Sequence, residues 1–348
     1  MVRRSPSVVV LAVVPLVVLA LAAGVAWAVT GPGQQVLGRA DVRGPLASAL
    51  AVAPADTTVL GFTDWDRIRD SGVADPATRD LATRSALSDI GEAVPQALGW
   101  STDDVRWEAF VQDLGAGVLV VAPGDALSWS EVEDGLREAG FDQDGDGWSA
   151  TPQVLTENGL GDQFTAVRLV RSAGVLVAAT APEAADQVVR TATGRDASLA
   201  TVRQAADTAQ ALAGTDTVLL QAGSLGCDAA AVPDTDRAAA DAVQAREGRL
   251  QAYSFAGRSL TDRGGSGASA QTATFAMTFD DVSTAREQAP IRERLATGPF
   301  IGRTGQVEDE LRDPSTTVDQ ATVALSFDRS ADGTVLMLGT GALLFAAC

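Results

Sequence analysis

The stretch Pro54-Ala55-Asp56-Thr57-Thr58-Val59-Leu60 returns later in the chain as Gly214-Thr215-Asp216-Thr217-Val218-Leu219-Leu220. In both copies a turn containing proline or glycine and an aspartate precedes a short apolar run, which is typical of a buried strand. The order of strands and helices that follows is also similar after the two copies. We therefore predict an α+β fold of two tandem, mostly antiparallel sheet-plus-helix halves, residues 46–205 and 206–348, each sheet covered on one face by helices.

Local patterns predict several individual elements within these halves. Paired strands are expected at 164–171 with 174–179 and, as their counterparts in the second half, at 321–327 with 333–338. A helix is expected from Ser130 to Ala139, with Ser128 or Ser130 as its N-cap and Glu131 in its first turn. The chain thus alternates short strands with short amphipathic helices.

The N-terminal segment predicts a membrane anchor. Arg3 and Arg4 precede an apolar run from Val8 to Val29, which is long enough to cross the roughly 30 Å hydrocarbon core of a bilayer as a helix. We therefore predict a single-pass transmembrane helix in residues 1–30 and a linker at 31–45. Because positively charged flanks stay in the cytoplasm, we predict an extracytoplasmic location for the rest of the chain. The alternative is a cleaved signal peptide, since Ala26-Trp27-Ala28 fits a small-x-small cleavage site.

The composition excludes several kinds of catalytic site. The chain contains no histidine, and all 26 of its basic residues are arginine. Neither an imidazole base nor the lysine of a P-loop or Schiff base is therefore available. Two cysteines cannot build a tetrahedral zinc site either. Carboxylate chemistry, arginine-based anion recognition and oxygen coordination of hard metal ions remain.

The charge balance bears on the choice of partners. Acidic residues number 45 against 26 basic ones, which gives a net charge of −19. Such a surface repels nucleic acid and anionic lipid headgroups, because both are bound through cationic side chains. We therefore predict no nucleic-acid partner, and the charge also favours solubility of the outer region.

Cys227 and Cys348 are the two cysteines of the chain. If the predicted topology holds, both lie in an oxidising compartment, where disulfides form and persist. We predict that they are bonded to each other and that the bond holds the last residues against the second half. The alternative is a pair of unbonded, buried thiols.

The segment 142–147, Asp142-Gln143-Asp144-Gly145-Asp146-Gly147, resembles the start of a calcium-binding loop. Carboxylates at alternate positions followed by glycine are typical of an EF-hand, which makes Asp142, Asp144 and Asp146 candidate calcium ligands. However, the twelfth position is Gln153, where an EF-hand requires glutamate. The alternative is a tight hairpin at 141–150 with a turn of the Asp-Gly type, and no cofactor.

Asp64 and Asp66 flank Trp65 directly after the first predicted strand. Two carboxylates beside an aromatic ring are the components of a glycosidase site, in which the ring stacks against a sugar. The alternative is structural: Asp64 caps a short helix and Asp66 lies in its first turn. The other tryptophans of the outer region, Trp100, Trp107, Trp129 and Trp148, are expected in the core, with a cleft lined by two of them as the alternative.

The apolar anchor, the Pro54-Ala55-Asp56-Thr57 motif, the Gly140-Phe141…Trp148 hairpin and Cys348 together resemble membrane-anchored envelope proteins of high-GC Gram-positive bacteria. The function of that group is unknown, so the resemblance implies a location and no active site. We expect a non-enzymatic binding or assembly module whose partner is an envelope protein or a cell-wall component. The alternative is a carboxylate-dependent hydrolase acting on cell-wall glycan, with Asp64 and Asp66 as its catalysts.

Overall fold

The computed structural model describes residues 44–72, 81, 85–112, 116–263, 271–330 and 342–348. The described strands are β1 (Val59–Asp64), β2 (Val105–Gln112), β3 (Gly117–Pro123), β4 (Asp142–Asp144), β5 (Gly147–Ser149), β6 (Ala166–Val170), β7 (Val175–Ala179), β8 (Thr217–Ala222), β9 (Phe255–Asp262), β10 (Gln271–Thr278), β11 (Leu311–Asp319) and β12 (Thr322–Arg329). They form one sheet in the order β11-β12-β10-β9-β8-β1-β2-β3-β7-β6-β5-β4. The predicted α+β class with an antiparallel sheet is confirmed.

Short α-helices connect the strands. The described helices are α1 (Pro45–Val52), α2 (Trp65–Asp70), α3 (Ala86–Ile90), α4 (Ala93–Leu98), α5 (Trp129–Glu138), α6 (Pro152–Glu157), α7 (Pro182–Ala192), α8 (Arg203–Ala211), α9 (Gly223–Ala229), α10 (Arg237–Glu247), α11 (Val282–Leu295) and α12 (Val307–Glu310). The predicted helix at 130–139 is α5, and its N-cap is Ser128, which forms a capping box with Glu131.

Ten of the twelve described strands are arranged symmetrically about the pair β1 and β8, and β5 and β4 extend the sheet beyond β6. β1 and β8 pair antiparallel, with Thr63 opposite Thr217. The order outward from β1 is β2, β3, β7 and β6, and the order outward from β8 is β9, β10, β12 and β11. The boundary between two halves at residue 205 stays a prediction, because strands from both sides of it belong to one continuous sheet.

Helices pack on both faces of the sheet, whereas the sequence pattern predicts them on one face only. One buried cluster joins α1, α7 and α8 to the face that carries Leu60, Phe62 and Val120. The second cluster joins α2 to α6 and α10 to α12 to the opposite face, which carries Leu119 and Val121. The physical reason is that strands such as β3 and β7 are continuous apolar runs, so both of their faces must be covered.

The edge of the second half also differs from the prediction. Residues 321–327 are predicted as the counterpart of 164–171, the segment that contains β6. They instead overlap β12, which pairs with β10 in the same way as β7 pairs with β3. The position of β6 is occupied instead by β11. This strand contains Pro314 and buries only Leu311, so it lacks the apolar alternation of a half-buried strand and escapes pattern recognition. The predicted strand at 333–338 lies outside the described residues.

The predicted disulfide is confirmed. Cys227 in α9 is bonded to Cys348, and their Cα atoms are 5.3 Å apart. The residues before Cys348 are buried in the apolar cluster around β10 and β12, where the ring of Phe345 packs edge to face on Phe275 at 5.1 Å between centroids. The disulfide therefore ties an apolar segment to the layer of helices above the sheet.

A fully buried arginine holds the same segment. Nη1 of Arg292 in α11 donates to the carbonyl oxygens of Phe345 at 2.7 Å and Ala347 at 3.0 Å, and Nη2 donates to that of Gln251 at 2.8 Å. The hydroxyl of Tyr253 donates to a neighbouring carbonyl of the segment, and its ring lies 5.5 Å from the guanidinium carbon. Burial lowers the pKa of Arg292 to about 10, so the group stays charged at neutral pH.

No helix within the described ranges has the length and apolar character needed to cross a membrane. The run from Val8 to Val29 and the linker that follows it lie outside the described residues. The anchor and its alternative, a cleaved signal peptide, therefore both remain predictions.

Candidate functional site

A cleft of about 470 Å³ opens on one face of the central strands. Its apolar floor contains Val59 and Gly61 of β1, Phe110 of β2 and Leu219 of β8. The polar groups around this floor are Ser85, Asp89, Gln112, Asp162, Gln163 and Thr180. The cleft thus lies where strands from both predicted halves meet.

The floor follows from the register of the strands. Gly61 lies opposite Phe110 on one side and opposite Leu219 on the other, so these residues share one face of the sheet. The tip of the Phe110 ring lies against Gly117 of β3, where a Cβ atom would stand 2.6 Å from the ring Cζ. The absence of a side chain at residue 117 therefore leaves the space that the ring of Phe110 occupies.

Helix α3 contributes one wall of the cleft. Ser85 caps this helix, and its side chain accepts a hydrogen bond from the backbone N–H of Ser88 at 2.8 Å. Asp89 lies one turn further along α3, and Asp162 begins a short 3-10 helix elsewhere in the chain. Both carboxylates are exposed, and neither forms an ion pair with another described residue. Two elements thus present negative charge at the cleft that no ion pair with a described residue neutralises.

A buried carboxyl group, Glu108 of β2, lies behind this wall. The indole N–H of Trp65 donates to Oε2 of Glu108 at 3.1 Å, and polar groups of Ser85 and Ala86 at the start of α3 also stabilise its charged form. Burial outweighs these contacts and raises the pKa of Glu108 to about 7. The hydrogen bond from Trp65 joins this side chain to α2, and the chain before α3 lies next to it.

The structure assigns Asp64 the role of a helix cap. Its Oδ1 accepts the backbone N–H of Arg67 at 3.1 Å at the start of α2, as the capping interpretation predicts. Burial raises the pKa of Asp64 to about 6. Its backbone N–H donates to the carbonyl oxygen of Asp216 at 2.8 Å, which brings a second acidic residue into the neighbourhood.

Asp216 is a buried carboxylate that the sequence analysis does not single out, although it stands in the repeated motif. Its Oδ1 lies 2.6 Å from Nε of Arg67, and its Oδ2 accepts the backbone N–H of Asp262 at 2.5 Å. Burial raises the pKa of Asp216. Asp66, the other predicted candidate, instead pairs with Arg69 at 2.5 Å on the surface. Asp64 therefore caps the start of α2, and Asp66 forms an ion pair within that helix. Neither residue lines the cleft.

The tryptophans of the described residues belong to the core. Trp65, Trp100 and Trp148 are buried in one apolar cluster, against which Trp129 packs, and Trp107 is buried in the cluster on the opposite face. None of them is among the described residues that line the cleft. Their positions favour the core interpretation over a cleft lined by two tryptophans.

The candidate calcium ligands lie on a hairpin. β4 pairs with β5 across a turn at Gly145, and Asp142, Asp144 and Asp146 are exposed. This arrangement confirms the hairpin interpretation of the segment. Across the ranges that the structure describes, no three acidic or cysteine side chains are grouped closely enough to hold a metal ion. Calcium binding by this loop stays a prediction.

Comparison with known proteins gives little further guidance. No protein-family model and no curated protein matches this chain. Among solved structures, the chain is similar to one titled "Structure of crystal form I of TP0453", with 8% sequence identity and a TM-score of 0.38 over 89% of this chain and 96% of that one. A similarity this low carries no argument about fold or function.

Proposed function

We propose that the chain is a non-enzymatic, membrane-anchored binding module of the cell envelope, and that its ligand occupies the cleft over β1, β2 and β8. The observation that carries this proposal is the cleft itself. Its volume of about 470 Å³ is in the range of small-molecule sites, which is roughly 300–1,000 Å³. An apolar floor with a few polar groups around it is the combination through which such sites bind and orient a ligand.

The frame of the cleft supports the same proposal. β1, β2 and β8 are each paired on both sides within the sheet, and their opposite face is packed against helices such as α1 and α8. A floor built on central strands is already ordered before a ligand arrives. Binding therefore loses little free energy to ordering of the site. The sequence predicts an envelope protein or a cell-wall component as the partner. The size of the cleft favours a small molecule, or one exposed group of a cell-wall component, as what is bound.

The proposed location rests on the Val8–Val29 run, and the Cys227–Cys348 disulfide supports it because such bonds persist outside the cytoplasm. Protease added to intact, wall-stripped cells should digest the region after residue 45. Full protection while the membrane is sealed would contradict the proposed orientation. Mass spectrometry of the N-terminus distinguishes the two alternatives, since a mature chain beginning at Val29 would show that the segment is cleaved.

The alternative of a glycan hydrolase has weaker support. Its candidates Asp64 and Asp66 bind groups of α2, and the cleft is lined by other residues. We expect Asp64→Asn and Asp66→Asn to leave the binding of cleft ligands unchanged and to show no effect on cell-wall glycan. Loss of a measurable glycan turnover in either variant would favour the hydrolase.

Binding to the cleft is tested with 1-naphthalenemethanol, a neutral compound with a flat apolar body. The full-length chain in phosphatidylcholine nanodiscs is titrated by calorimetry, with protein-free discs as the blank. We expect saturable binding to the unaltered chain and its loss in Val59→Trp, because the larger side chain fills the floor of the cleft. The matched control is Val318→Trp on edge strand β11, where the valine is 40% exposed and remote from the cleft. Equal binding by both variants would contradict the proposal.

A further inference from the structure

We propose that the cleft is selective for organic cations, that is, for small molecules that combine an apolar body with a protonated amine. This inference rests on the proposed function, because it names the class of ligand that the same cleft takes. It is carried by the charge and the chemistry of the residues that line the cleft.

The charged residues of the described lining have the same sign. They are Asp89 of α3 and Asp162 of the 3-10 helix, which reach the cleft from two separate elements. No arginine is part of that described lining, although the chain contains 26. Since neither carboxylate has an ion-pair partner among the described residues, an ammonium group bound there would gain both Coulomb attraction and charge-assisted hydrogen bonds.

The floor complements the other part of such a ligand. Val59 and Leu219 offer aliphatic surface, and the ring of Phe110 is partly exposed beside them. An aromatic face attracts a nearby cation as well as apolar groups. Gln112 and Thr180 are neutral hydrogen-bonding groups and do not select for charge. The lining therefore favours a molecule that is apolar at one end and positively charged at the other.

The same groups disfavour anions. A carboxylate or phosphate ligand would meet the two aspartates at short range and a chain whose net charge is −19. Selectivity of this kind comes from repulsion of the wrong ligand as much as from attraction of the right one. A cleft intended for an anion would require arginine at its rim, and in the described part of the lining there is none.

Three probes that share the same apolar ring separate the effect of the ligand's charge from the effect of its shape. They are 1-naphthylmethylamine, 1-naphthalenemethanol and 1-naphthoate, which are cationic, neutral and anionic at neutral pH. Calorimetry of the full-length chain in phosphatidylcholine nanodiscs at low ionic strength should show that the amine binds about tenfold more tightly than the alcohol. The naphthoate should bind most weakly, and added salt should reduce the preference for the amine.

Two double variants test whether the residues of the cleft cause the preference for the amine over the alcohol. In Asp89→Asn/Asp162→Asn, the amine and the alcohol should bind equally well. Glu287→Gln/Glu293→Gln removes as much charge from exposed positions of α11, which packs on β11 and β12 at the other end of the sheet, and should keep the preference of the unaltered chain. Equal binding of amine and alcohol by the unaltered chain would overturn the cation proposal and leave the binding cleft intact. Failure of all three probes to bind would overturn the proposed function as well.

Discussion

The tip of the Phe110 ring lies against Gly117, so that a Cβ atom at residue 117 would stand 2.6 Å from the ring Cζ. The two residues belong to neighbouring strands, β2 and β3, and both line the cleft. Carbon atoms of packed side chains do not approach this closely. The ring can occupy its position only because residue 117 is glycine, which has no Cβ atom.

This contact predicts a strong coupling between the two positions. Gly117→Ala should destabilise the chain by about 1–3 kcal/mol, because the new methyl group displaces the ring of Phe110. In a Phe110→Leu background the same substitution should have a much smaller effect, since the smaller side chain can move aside. The free energies of unfolding of the four proteins, measured in urea, form a double-mutant cycle. Equal effects in both backgrounds would show that the ring does not explain the glycine.

The buried carboxyl group of Glu108 predicts a dependence of stability on pH. Burial raises its pKa from 4.5 to about 7, so the folded state holds a proton that the unfolded state has already released between these values. The stability contributed by that proton is therefore present below pH 4.5 and is lost as the pH rises to about 7, by about 3 kcal/mol in all.

The variant Glu108→Gln removes this titration and keeps an acceptor for the indole N–H of Trp65. The difference in the free energy of unfolding between the variant and the unaltered chain should shift in favour of the variant from pH 4.5 to pH 7. The pKa of Asp64 is also raised, but its contribution to the pH dependence is the same in both proteins and cancels in the difference between their free energies of unfolding. A difference that stays constant over this pH range would refute the assignment.

The guanidinium of Arg292 predicts a large loss of stability on truncation. Arg292→Met should destabilise the chain by about 3–5 kcal/mol, because the carbonyl groups of Phe345 and Ala347 lose a charged donor inside the core. Arg286→Met is the control on the same helix, since Arg286 is exposed and should contribute about 0.5 kcal/mol or less. Similar effects of the two substitutions on urea unfolding would contradict the role of Arg292.

The disulfide predicts a stabilisation that disappears on reduction. Cys227 and Cys348 are separated by 121 residues, and replacing both by alanine should lower the free energy of unfolding by about 2–5 kcal/mol. In this variant, the backbone amide protons of residues 342–348 should exchange faster than those of β1 to β3. Hydrogen exchange followed by mass spectrometry measures this, and uniform behaviour along the chain would count against a local clamp.

Much of the fold follows from local patterns. The caps of α2 and α5 can be predicted because Asp64 and Ser128 stand directly before apolar helical patterns, and both caps are found. The disulfide can be predicted because the chain has two cysteines and an apolar N-terminal run. The strand β11 cannot, because its exposure leaves no apolar alternation to detect.

The cleft depends on contacts between residues that are distant in sequence. Gly61 meets Phe110 and Leu219 only through the pairing of β1 with β2 and with β8, and no local pattern specifies that register. Glu108 belongs to a strand whose other residues are largely apolar, and its partner Trp65 lies 43 positions earlier. Sequence reasoning therefore identifies Asp64 and Asp66, which are near each other in the chain, and misses the residues that the sheet brings together.

The central claim, that the cleft binds a cationic small molecule, is tested most directly by protecting a thiol at its floor. Val59→Cys introduces a thiol into a chain whose own cysteines are bonded to each other. The rate at which methyl methanethiosulfonate modifies this thiol is measured in the full-length chain with and without saturating 1-naphthylmethylamine, and Val318→Cys is the control. We predict that the amine slows modification at residue 59 and leaves residue 318 unaffected. An unchanged rate at residue 59, or equal slowing at both residues, would contradict the claim.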